Sequence, residues 1–175
     1  MGAVGGALGA GGREASAYVE VGTAGVVQLG GPVVAAGQGY AAGGGGRGLV
    51  CAADIVIAGE GSRYLAGATR VGMAPDAGAS VVLPRLIGFR RAMDLLLTNR
   101  IVDAGEALQI GLVTRVVADD QLTEAATAAA QDLARGAPKA LAATKRLLWS
   151  GIGLSVDACL PEEARTVSEL SGTHD

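Results

Sequence analysis

Hydrophobic and polar positions along this chain change period several times, and each change marks an element. The first twelve residues, MGAVGGALGAGG, are almost only Gly and Ala and carry no usable period, whereas Arg13 to about Val27 can form a helix. PVVAA (Pro32 to Ala36) and DIVIA (Asp54 to Ala58) are short runs of β-branched and small apolar residues and read as strands, with a glycine run and a short helix between them. That order is a β-loop-α-β unit. DAGASVVLPRLIG and FRRAMDLLLTN have helical spacing, which is expected to turn Leu95, Leu96 and Leu97 inward. Asp103 and Glu106 form a capping-box pattern that opens a short helix, and Gly111 closes it. LVTRVV (Leu112 to Val117) alternates like a short strand. Beyond it, QLTEAATAAAQDLARG, KALAATKRLLWSG and the segment from Ser155 to Leu170 are Ala/Leu-rich helices with charges on one side, so the C-terminal third is helical. No repeat is present.

Composition narrows the fold. The chain has 175 residues, enough for one domain; half are apolar but only 3% aromatic, so its core must be built from Ala, Val, Leu and Ile with backbones close together. A net charge of −3 and a pI near 5.2 give no basic field for nucleic acid, which is not expected as a partner. Cys51 and Cys159 stand far apart and are expected as free thiols in a reducing compartment. Val21 to Gly46 carries no charge, but glycines and Pro32 interrupt it, so no membrane span is expected; no secretion signal is evident and a cytoplasmic location is the default.

The glycine run Gly43 to Gly46 raises the question of use. A flexible linker is the plain reading, yet apolar runs flank it on both sides, which fits a backbone approached closely by something else. A dinucleotide turn is a second reading, because Gly37-Gln38-Gly39-Tyr40-Ala41-Ala42 matches G-x-G-x-x-A and Glu60 ends the next strand; four glycines in the first turns of the required helix weigh against it.

A third reading takes in far more of the chain. PVVAAGQGYAAGGGGRGLVCAADIVIAGEGSRY resembles the P-V-I-A-A-V-N-G-Y-A-x-G-G-G-x-E-L segment, through C-D-I-x-I-A, of the crotonase (enoyl-CoA hydratase/isomerase) superfamily. RVGMAPDAGASVVLPRLIGFRRAMDLLLTNRIVDAGEALQIGLVTRVV resembles the family's L-G-x-x-P to G-L-V-x-x-V-V block, and ALAATKRLL its A-x-x-x-x-K near the C-terminus. The resemblance runs from about Gly31 to Leu148. It implies an α/β fold, a crotonase-like ββα spiral incomplete at the N-terminus, with a helical C-terminal trimerisation region. On that basis residues 1–30 are an irregular or partly helical N-terminal segment, 31–117 the crotonase-like core and 118–175 the helical C-terminal region.

The resemblance also implies chemistry. In the family a glycine N–H of this run donates to the oxygen of an acyl-CoA thioester; the matching glycine is Gly44, next to Gly43. A Cβ-free amide at a helix N-terminus suits an oxygen where enolate charge develops. Family hydratases use two glutamates, and the matching positions here hold Arg47 and Ala68, neither able to move a proton at neutral pH. Arg47 is expected on a solvated or interface surface. Asp76, in PDAGA, stands where isomerase-like members place a carboxylate; one such group could carry a proton between two carbons of an enoyl thioester, although an N-cap for the following helix explains it equally well. Dehalogenase-like use of Asp76 would want a nearby tryptophan, and Trp149 is the chain's single one. Lys145 resembles a lysine near the CoA phosphates and reads equally as a solvated helix lysine. Tyr40 is expected in the core, and His174 on an exposed tail.

GAGGRE (Gly9 to Glu14) faintly resembles the family's A-G-x-D loop, which supplies a second oxyanion donor, with Gly12 at the donor position and Arg13 where Asp is expected. The resemblance therefore implies an N-terminally truncated member. Two functions follow from it: an enoyl-CoA isomerase with Asp76 as acid/base, or a catalytically weak or inactive acyl-CoA-binding subunit; hydration ranks lower. The coenzyme A thioester is the substrate, no further cofactor or metal is expected, and the assembly implied is a homotrimer or hexamer.

Overall fold

The computed structural model describes residues 10–172, of which 10–17 and 44 by backbone alone. Helix α1 (Ala10–Gln28) begins three residues ahead of the expected start and takes in part of the Gly/Ala run. Strand β1 (Val34–Gly37) follows, then β2 (Tyr40–Ala42), α2 (Gly43–Ala52), β3 (Ile55–Gly59) and β4 (Arg63–Leu65). A 3-10 turn (Ala68–Val71) leads to α3 (Ala79–Ile87) and α4 (Phe89–Thr98), then to β5 (Val102–Asp103), α5 (Ala104–Gln109) and β6 (Arg115–Val117). Helices α6 (Leu122–Ala134), α7 (Pro138–Gly151) and α8 (Val156–Ser171) complete the chain.

The strands form two small sheets. In one, β3 lies between β1 and β6, all parallel, with Val34 opposite Ile55 and Ile57 opposite Arg115. In the other, β4 lies between β2, parallel, and β5, antiparallel. The chain thus crosses from the first sheet to the second twice, once at Gln38-Gly39 and once at Glu60 to Ser62, and α2 returns it for the second pass. This is the ββα spiral that the resemblance implies. Gly39 makes the first crossing with φ +65, and its carbonyl accepts from the Arg63 N–H at 2.8 Å, so the two crossings are stitched together.

Strand β3 has two buried faces, as a central parallel strand should. Val56 and Ala58 face the larger cluster, with Leu83, Ile87, Leu95 and Leu96, while Ile57 faces Leu122 and Ala129 of α6. Two expectations fail here. Leu97 is 61% exposed, because a helical turn brings only two of three consecutive leucines inward. Tyr40 is 68% exposed, because the pleat of β2 turns Ala41 inward and its neighbours outward. Both cysteines are free thiols, Cys51 buried and Cys159 partly so. No helix among the described residues is long and apolar enough to cross a membrane.

Helix α7 is fastened to the sheet by a buried ionic cluster. The Lys145 ammonium lies 2.9 Å from the Asp54 carboxylate and donates to the carbonyls of Val26 at 2.7 Å and Gly31 at 3.1 Å. Asp54 in turn accepts from the Val33 N–H and from Trp149 Nε1, both at 2.8 Å. One lysine thereby joins the end of α1, the approach to β1 and the start of β3. Removing one partner of a buried pair leaves the other charge uncompensated, at a cost of about 3–5 kcal/mol. Lys145→Met is expected to lose that much stability in urea unfolding, and Asp54→Leu combined with it to lose less than the two single changes summed.

Candidate active site

Helix α2 opens without a side-chain cap. Its N-cap, Ala42, has extended backbone and offers no oxygen, so the first N–H groups, Gly44's among the opening turn, have neither an intrahelical acceptor nor a side chain of the cap residue to take them. Those groups also carry the positive end of the helix dipole. Gly43 enters at φ +64, a region closed to most side chains. Further along, the glycines are needed for packing. A Cβ on Gly46 would stand 3.1 Å from the Ala41 Cα, and one on Gly48 would stand 2.6 Å from the Ala77 Cβ and 3.3 Å from Thr23 Oγ1. The run opens a helix that is closely approached at Gly46 and again at Gly48, and the linker reading is set aside. The dinucleotide reading goes too, since Gly37-Gln38-Gly39 leads into β2 before any helix.

Asp76 is brought against this helix. Its side chain is not the cap of α3: that position is Gly78, at φ 73, with no side-chain hydrogen bond. Instead the Asp76 carbonyl accepts from the Ala79 N–H at 3.0 Å, and Ala77 takes up a left-handed backbone, φ +52, at a cost of about 1–2 kcal/mol for a residue with a Cβ. The Ala77 methyl is buried in the notch that Gly48 leaves on α2. That contact sets the half-buried Asp76 beside the second turn of α2, where its charge acts on Arg47.

Arg47 departs most from expectation. It is 3% exposed rather than solvated, and Nε and both terminal nitrogens of its guanidinium have no hydrogen-bond partner among the described residues. Desolvation lowers its pKa from the ordinary arginine value, against the opposing fields of Cys51 and Asp76. The cause of the burial is helical spacing, for Arg47 shares its face with Val50 and Cys51, both buried. That signal was available in the sequence. The Cys51 thiol is pushed up to about 11 by burial, in spite of Arg47, and stays neutral at physiological pH. Arg47 lines a void of about 10 Å³ with Tyr64, Ala66, Leu83 and Arg100. Ala68, two residues past Ala66, opens the 3-10 turn.

The other candidates lie elsewhere. Lys145 belongs to the cluster at the far end of α2, and its three protons are taken by Asp54, Val26 and Gly31. A ten-residue helix, about 15 Å long, separates that end from Gly43 and Gly44. Trp149 is committed to Asp54 as well. Asp103 caps α5, accepting from the Glu106 N–H at 2.8 Å, while Glu106 turns away to a two-pronged pair with Arg100 at 2.6 and 2.8 Å that holds its carboxyl below the usual range. Gly12 lies in the first turn of α1 rather than in a loop. His174 lies outside the described residues. Among the described residues no group of three or more His, Cys, Asp or Glu side chains could share a metal ion.

Comparison with known proteins gives a consistent result. The sequence pattern of the family described as Enoyl-CoA hydratase/isomerase matches residues 13–172. A "Probable enoyl-CoA hydratase" of Rhodobacter capsulatus is 40% identical over 144 residues, 82% of this chain and 56% of that protein. A carnitinyl-CoA dehydratase of Citrobacter koseri is 39% identical over 116 residues, 66% of this chain and 44% of that one. Among solved structures, an enoyl-CoA hydratase from Bacillus anthracis superposes with a TM-score of 0.89 at 35% identity, covering 93% of this chain and 63% of its own. The chain spans about half the length of the curated relatives it matches.

The notch at Gly48 makes a direct prediction. Gly48→Ala sets two methyl carbons 2.6 Å apart on packed backbone, and overpacking of this kind costs about 1–3 kcal/mol. A thermal melt of the variant is expected to show that loss, with the loop carrying Asp76 displaced.

Proposed function

Because the chain belongs to the enoyl-CoA hydratase/isomerase (crotonase) family, we propose that it binds an acyl-CoA thioester at the start of α2 and shifts a double bond in the acyl chain, with Asp76 as acid and base. The observation that carries this reading is the Gly48–Ala77 contact, which sets a carboxylate beside a helix whose opening amides have no side-chain cap. Asp76 takes a proton from C2 of a 3-enoyl thioester. The Gly44 N–H and the dipole of α2 hold the oxygen of the dienolate, and Asp76 returns the proton to C4, leaving a conjugated 2-enoyl thioester. No water is consumed.

The relatives carry the names hydratase and dehydratase, but Arg47 and Ala68 occupy the positions of the two glutamates that the family's hydration uses. A guanidinium stays protonated and a methyl has no proton to give. A second reading, an acyl-CoA-binding subunit with little turnover, is favoured by one observation: of the Gly9 to Glu14 segment that faintly resembles the second-donor loop, residues 10–14 lie in helix α1. Assembly into a trimer or hexamer would cover large exposed apolar side chains such as Phe89, Leu148 and Val156.

Offering 3-hexenoyl-CoA to wild type and to Asp76→Asn, and following appearance of the conjugated thioester, tests the mechanism. A general base contributes about 10²–10⁴-fold, so the variant is expected to lose at least about a hundredfold in rate. Equal rates would remove Asp76 from the reaction, and 3-hydroxyacyl product would restore hydration.

A further inference from the structure

Arg47 has no task in the reaction just described, and its situation is unusual. Buried arginines are ordinarily paired, because taking a guanidinium out of water costs several kcal/mol. The contrast within this chain is direct. Arg100, 39% exposed at its side chain, is held by the carboxylates of Asp94 and Glu106, whereas Arg47, almost wholly enclosed, has all three nitrogens unpartnered. Asp76 and Cys51 influence it through space, and neither supplies a hydrogen bond to it; the Cys51 thiol is neutral.

Its position is as informative as its state. Arg47 is the fifth residue of the helix that Gly43 and Gly44 open, it directly precedes Gly48, against which Ala77 of the Asp76 loop packs, and it lines the void beside Ala66. On the acyl-CoA reading of α2, Arg47 stands about one helical turn past the amide that would hold the thioester oxygen. Five N–H donors in a fixed fork match a carboxylate by two parallel hydrogen bonds.

We propose that Arg47 is a specificity residue for acyl-CoA thioesters whose acyl group ends in a second carboxylate, that is, for monothioesters of short dicarboxylic acids. The inference rests on the acyl-CoA reading of α2 and narrows its substrate class. The void at Arg47, about 10 Å³, has room for about one water, so forming the pair requires the side chain to leave its present position. It has no protein hydrogen bond to break in doing so, and it exchanges an unpaired, desolvated position for a paired one.

Equilibrium binding of succinyl-CoA, glutaryl-CoA and butyryl-CoA to the full chain, wild type, Arg47→Met and Arg47→Lys, tests this. Wild type is expected to prefer at least one of the dicarboxylic thioesters over butyryl-CoA by about tenfold or more, Arg47→Met to bring that ratio close to one, and Arg47→Lys to keep part of it. A second readout is the unliganded protein in urea, where Arg47→Met is expected to be at least as stable as wild type, since it removes a buried charge that no ligand compensates. Equal affinities in wild type, a measurement that needs no variant, or a preference that survives in Arg47→Met overturns the assignment and leaves the acyl-CoA reading standing. Failure of all three thioesters to bind removes the acyl-CoA reading, and this inference with it.

Discussion

Helix α2 can occupy the centre of this structure because it lacks side chains where its neighbours touch it. β2 lies tightly against Gly46 and α1 against Gly48, and the loop before α3 approaches Gly48 more closely than a methyl group would allow. Glycine is costly in a helix, about 1 kcal/mol each relative to alanine, so a run of four is hard to explain by propensity. The close approach of backbone and small residues repays it. The same contacts place Ala77, and through it Asp76, and they leave the opening amides of the helix without a capping side chain.

The chain buries two long cations and treats them oppositely. Lys145 has a carboxylate and two carbonyls for its three protons, and it serves to hold α7, β1 and β3 together. Arg47 is enclosed to a similar degree with no side-chain hydrogen bond among the described residues. The first arrangement is that of a structural group, and the second leaves a buried charge without a compensating hydrogen bond among the described residues. Lys145 lies beyond the C-terminal end of α2 and Arg47 at its middle, so the stabilising cluster and the candidate site adjoin one helix without sharing residues.

Much of this could be read from the sequence, and what could not has identifiable causes. Long periodic segments were legible: α6, α7 and α8 lie where Ala/Leu spacing puts them, and β1 and β3 where β-branched runs do. The three strands of the second sheet, two or three residues each, are too short to show alternation and were not anticipated. The resemblance across Gly31 to Leu148 supplied the spiral, which no local pattern could. For the site, Asp76 was singled out on family pattern, but its relation to α2 depends on Ala77 meeting Gly48, a contact between residues 29 apart in sequence. For Arg47 the charge points to solvent while the helical spacing to Val50 and Cys51 points inward, and the spacing prevails. Lys145 was taken for a phosphate contact or a surface lysine, and its burial turns on Asp54, some ninety residues away, to which nothing local points.

Strand β3 shows one face to each of two hydrophobic clusters, with Ile57 on one side and Val56 and Ala58 on the other. Every side chain on it alternates between them, so a slip of one residue in its register would exchange the contents of both at once. The α6 layer and the layer built on α3 and α4 are therefore not separable modules. They share a single strand, and loss of order in one withdraws the wall against which the other is packed, which makes the melting of this chain cooperative across both.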